Sequence, residues 1–92
     1  MEFKTGNFVI SKAGHDKGKV YLTVELHQDR ILVADGKSHS IEAPKKKNPL
    51  HLQPVGTGID GELLKKLEDK SLRDEEIRKA LKNWETSHSV KQ

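Results

Sequence analysis

Between the short apolar run Phe8-Val9-Ile10 and the alternating run from Val20 to Leu26 lies SKAGHDKGK, residues Ser11 to Lys19. Its chemistry is anion recognition. Gly14 and Gly18 permit backbone angles that aim successive amides one way, and Lys12, Lys17 and Lys19 add ammonium groups, a combination that holds phosphate. A second dense group, Lys45-Lys46-Lys47, lies between Pro44 and Pro49, which restrict the loop and keep three like charges close. A polyanion would relieve that repulsion. Cations that release counterions from phosphates supply affinity, and exposed amides fix position. The alternative reading is structural, with glycines that only shape a hairpin and lysines that form a solvated face. Asp16 is the misfit, because a carboxylate repels phosphate. It reads as an Asx-type acceptor of backbone hydrogen bonds within the turn.

Other chemistries fit less well. His15, His27, His39 and His51 recur every twelve residues, but metal sites use local pairs with supporting carboxylates, and strand-and-turn lengths would scatter these rings. His15 and His51 are instead expected to hydrogen-bond or stack near RNA. No nucleophile stands beside a candidate base, and neither a Walker-type loop nor a carboxylate pair occurs, so no enzyme activity, small-molecule substrate or cofactor is expected. The absence of cysteine excludes disulfides and thiolate zinc sites. With Phe3, Phe8, Tyr21 and Trp84 the only aromatics, a base-stacking platform is not expected; Phe8 reads as core and Trp84 as helix packing.

The elements that position these groups follow from hydrophobic period. Phe8-Val9-Ile10, then Val20, Leu22, Val24 and Leu26 in alternation, then Ile31-Leu32-Val33, then Ile41, then Leu50 and Leu52 before Pro54 give five short strands, the count of a small barrel. Asp35-Gly36 predicts a type I′ hairpin turn. The prolines make Ala43 to Pro49 a loop and confine the last strand to about residues 51–53, at an edge. After Gly56 and Gly58 the period becomes helical. Asp60 is the expected N-cap of a first helix, with Ile59 and Leu64 as its staple and Leu63, Leu64 and Leu67 as its apolar stripe. Ser71 is the expected cap of a second helix, whose acidic first turn Asp74-Glu75-Glu76 precedes the face Ile77, Ala80, Leu81 and Trp84. Residues 86–92 are expected to fray. The division is therefore residues 1–55 as the β module and 56–92 as linker and helical appendage. The β pattern is complete enough to fold alone, at marginal stability.

Composition agrees with a small domain bearing a solvated remainder: 92 residues, 33% hydrophobic and 34% charged, with a net charge of +3. Residues 1–54 hold nine Lys/Arg and six Asp/Glu, whereas residues 55–92 hold eight of each, so all the excess positive charge belongs to the β module. The start MEFKTGNF is charged and lacks the apolar stretch of a signal peptide, and no segment approaches a membrane span. Cytoplasmic residence without membrane association is the expectation.

The order GNFVISKAGHDKGKVYLTV resembles the KOW-motif family of RNA-binding modules, built on a five-stranded SH3-like barrel. The resemblance covers about residues 5 to 55. Ser11-Lys12-Ala13-Gly14, Asp16-x-Gly18, Tyr21, Asp35-Gly36-Lys37 and Pro44-Lys45-Lys46-Lys47-Asn48 leading to His51-Leu52-Gln53 are similar to the branch containing ribosomal protein fourteen of the archaeal and eukaryotic large subunit and small stand-alone bacterial proteins. Many KOW proteins carry a glycine where Tyr21 stands, and an aromatic there fits the ribosomal branch. The resemblance implies a mainly β fold, an SH3-like (KOW) barrel, followed here by a short helical pair outside the matched region. It also implies contact with structured RNA, foremost ribosomal RNA, in a ribosome- or translation-associated role. Lys12, Gly14, His15, Lys17, Gly18, Lys19, Lys37, Lys45, Lys46, Lys47 and His51 are the expected contact residues. The alternative is an adaptor that docks on a ribosomal or transcription protein through the barrel or the helices.

Overall fold

The computed structural model describes residues 2–88. Its strands are β1 (Asn7–Ser11), β2 (Val20–Leu26), β3 (Ile31–Ala34), β4 (Lys45–Lys47) and β5 (Leu52–Gly58), followed by helices α1 (Gly61–Glu68) and α2 (Asp74–Ser87). The strands form one antiparallel sheet in the order β4-β3-β2-β1-β5. The sheet is open, with β4 and β5 as its two edges. A single turn of 3₁₀ helix, Pro49–His51, connects those edges in sequence.

Alternation along the strands produces two buried faces, each with its own core. Phe8, Val20, Leu22 and Ala34 project to one face and pack with Leu67, Leu72, Ile77 and Leu81 of the helical segment. Val9, Tyr21, Ile31, Val33 and Leu52 form the core on the other face. Consequently β2 is buried from Val20 through Thr23, on both sides, and its alternation separates two cores rather than core from solvent. A register shift between Thr23 and Glu25 interrupts the series, and Leu26 ends 42% exposed.

Several local expectations are overturned. The fourth strand is not at Ile41 but at Lys45–Lys47, inside the stretch read as a loop; these residues pair with Val33, Leu32 and Ile31. Lysines are common on sheet edges, where their charge discourages further pairing, and a three-residue edge strand needs little intrinsic propensity once β3 supplies the ladder. Asp35-Gly36 is not a type I′ turn. Only Gly36 has positive φ (76°), because the Asp35 carboxylate instead organises a wider loop by accepting the amides of Lys37 (2.8 Å) and His39 (2.9 Å). The last strand lies at an edge as expected but runs on to Gly58, since Pro54 at an edge costs no ladder bond.

Asp60 caps α1 by accepting the Leu63 amide at 2.9 Å. Ser71 does not cap α2: its hydroxyl donates to Asp69, Arg73 takes the N-cap position, and Glu76 accepts the Arg73 amide at 3.0 Å. Helix α2 continues through Ser87, so residues 86 and 87 are helical rather than frayed; residues 89–92 lie outside the described part. Its face is the expected one, with Ile77 and Leu81 buried and Ala80 and Trp84 packed against the same core. The Trp84 ring meets Phe8 at 6.0 Å and stacks on His88 at 4.5 Å.

Helix α2 also anchors the loop after β3. Asp74 accepts the Ile41 amide at 2.8 Å, and Arg78 donates to the Gly36 carbonyl at 2.6 Å. A Cβ at Gly36 would run into the Asp74 carbonyl and the Arg78 side chain, and its φ is left-handed. Gly36→Val should therefore lower stability by at least about 2 kcal/mol, read as a reduced urea midpoint, from strain and loss of both anchors. A parental midpoint would mean that the loop is not held by α2.

Candidate nucleic-acid interface

The loop from Ser11 to Lys19 is closed by its own backbone. Gly18 donates to the Ser11 carbonyl (2.8 Å), Lys19 to Asp16 (2.9 Å), Lys17 to Gly14 (3.2 Å) and Ser11 to Lys19 (2.9 Å). Gly18, at φ 90°, has open space where a Cβ would stand, so its requirement is conformational and not steric. The amides of residues 17–19 are thus occupied within the turn. Those of Ala13, Gly14, His15 and Asp16 have no protein acceptor among the described residues.

Asp16 differs most from its expected role. Among the described residues its carboxylate accepts no backbone amide; it accepts the Ser11 hydroxyl (2.7 Å), the Tyr21 hydroxyl (2.7 Å) and the Lys47 ammonium (3.2 Å), with Lys45 at 3.5 Å. The loop is thereby tied to β1, β2 and β4 at once. Burial opposes ionisation of Asp16, but the hydrogen bonds from Tyr21, Ser11 and Lys47 outweigh it and hold the carboxyl well below the usual carboxylate range. Burial and the same carboxylate raise the Tyr21 phenol well above its ordinary value. Asp35 repeats the arrangement with Lys19 at 2.6 Å: burial works against the charge, the Lys19 ammonium and the His39 and Lys37 amides work for it, and the carboxyl falls to about 2.

The expected contact residues fall in separate places. Gly14, His15, Lys45, Lys47 and His51 line one hollow of about 340 Å³ around Asp16. Lys12 adjoins it, since its amide donates to the His51 carbonyl at 2.8 Å, and its side chain is exposed, as is that of Lys17. Lys46 alternates to the other side of β4 and is exposed there, so the three lysines are not one cluster. Lys19 and Lys37 lie apart, in a groove of about 700 Å³ between the Asp35 loop and α2. That groove also holds Arg78, Lys79 and Lys82, with Glu75 and Glu85 among them, and the charge balance of the helical segment had concealed these cations. The spacing Ser11, Asp16, Tyr21 was the available signal for the carboxylate hub, a lone acid flanked at five residues on each side by a hydroxyl.

No protein-family model matches the chain, and no curated protein matches it. Among the described residues no helix is long and apolar enough to cross a membrane.

Proposed function

We propose that the chain is a non-enzymatic RNA-binding module of the KOW type, its open five-stranded sheet a variant of the SH3-like barrel, acting on structured RNA and foremost on ribosomal RNA in the cytoplasm. The observation that carries this reading is the hollow at Asp16, lined by residues 13–16, whose four amides are unengaged among the described residues, and by Lys45, Lys47 and His51. A phosphate seated there meets the loop, β4 and the 3₁₀ turn. Asp16 does not oppose it, because the Lys47 ammonium, only 10% exposed, already neutralises that carboxylate. Exposed Lys12 and Lys17 then extend the contact along the backbone, giving mainly electrostatic affinity with modest sequence preference.

The test is fluorescence anisotropy with a labelled ribosomal RNA hairpin over a salt series. Replacing Lys12, Lys17 and Lys45 together by Ala should reduce the log–log salt slope by roughly 2 to 3, while melting stays near the parental temperature because Lys47 still holds Asp16. Lys46→Ala should change the slope by less than about one. An unchanged slope in the triple variant would remove the hollow from the interface.

A further inference from the structure

A third concavity, of about 560 Å³, shares no residue with either basic one. It lies between the end of β2, the Ile41 loop and the corner joining α1 to α2. Val24, Leu26, Ile41 and Leu72 give it an apolar lining, in which Leu26 is 42% exposed. Glu25, Glu42 and Glu68 stand around that lining, with Lys70 the one cation among the lining residues. Glu25 engages His27 at 2.9 Å, whereas Glu42 and Glu68 have no cationic partner among the described residues.

We infer that this groove docks a lysine- or arginine-rich protein segment carrying an aliphatic or aromatic anchor. Three carboxylates repel phosphate, which turns away nucleic acid and anionic lipid from a surface of a net basic protein. Among the described residues no group of His, Asp and Glu is placed to hold a metal ion, so a bare divalent cation is not the ligand. What satisfies both the apolar lining and the acidic rim is a side chain that inserts between Leu26, Ile41 and Leu72 while flanking cations reach Glu42 and Glu68. The inference is independent of the RNA reading, since it uses none of the same residues.

The probe is a fluorescein-labelled peptide of three Lys-Leu-Lys-Lys repeats, with a second peptide in which Ser replaces each Leu. The full chain should bind the first peptide, with methyl NMR shifts at Leu26, Ile41 and Leu72. Binding should weaken about tenfold for the serine peptide, and about tenfold when Glu42→Gln and Glu68→Gln are combined. Both glutamates are exposed, so the double variant should keep the parental melting temperature. Absence of binding overturns the inference. So do equal affinities for the two peptides, or shifts confined to the acidic first turn of α2, which would report charge attraction alone. Sedimentation of the chain by itself covers the remaining occupant: concentration-dependent self-association abolished by Glu42→Gln and Glu68→Gln would place a second copy in the groove and overturn the partner proposed.

Discussion

A chain ending at Gly58, with all five strands and neither helix, should show no cooperative thermal transition and a collapsed amide NMR spectrum. The strand pattern alone suggests the opposite, because residues 5–55 contain every β-like segment. The structure places half of one core elsewhere: Phe8, Val20, Leu22 and Ala34 are covered by Leu67, Leu72, Ile77 and Leu81. Burying each large aliphatic side chain contributes roughly 1.5–3 kcal/mol, so these four residues from α1, α2 and the connection between them together supply about 6–12 kcal/mol, comparable to the whole stability of a small domain. Truncation would also expose the sheet face that they cover, on a fragment too short to bury it another way. A cooperative melt of residues 1–58 would instead mean that Val9, Tyr21, Ile31, Val33 and Leu52 suffice as a core.

What was legible in the sequence is what period and caps encode locally. The β1, β2 and β3 segments, the Asp60 cap and the Ile77-Ala80-Leu81-Trp84 face follow from side-chain alternation and helical spacing, which tertiary contacts reinforce here. The misread segments are those in which a distant partner decides. Lys45–Lys47 has neither apolar alternation nor strand propensity, and it is a strand because β3 offers an unpaired edge. Asp35 carries a turn signal, yet Lys19 and two loop amides claim its carboxylate. Of the expected contact residues, the spacing identified which segments carry the cations. It could not identify which cations are neutralised, since that depends on Lys47 being folded against Asp16 and Asp35 against Lys19, pairs far apart in sequence.

That distinction yields the second large effect. Lys47→Ala should lower stability by about 2–3 kcal/mol, because it leaves the mostly buried Asp16 carboxylate without its closest cation while Ser11 and Tyr21 still donate to it. Asp16→Ala should cost more, about 3–5 kcal/mol, since it strands the Lys47 ammonium and unsatisfies the Tyr21 hydroxyl together. Lys46→Ala, on the exposed side of the same strand, should stay within about 0.5 kcal/mol of the parent. Acid should reproduce the loss in the unaltered protein. The native carboxyls of Asp16 and Asp35 are both depressed, so the stability they contribute is complete above the unfolded carboxylate value of about 4 and disappears as pH falls through their native values. For Asp35, held at about 2, this amounts to roughly 2 kcal/mol. Urea midpoints measured from pH 6 down to pH 2 should therefore fall steeply below pH 4 in the parent and less steeply in Asp16→Asn. If Lys47→Ala instead keeps the parental midpoint and loses RNA affinity, the ammonium serves the ligand and not Asp16, and the lysine assigned here to the fold belongs to the interface.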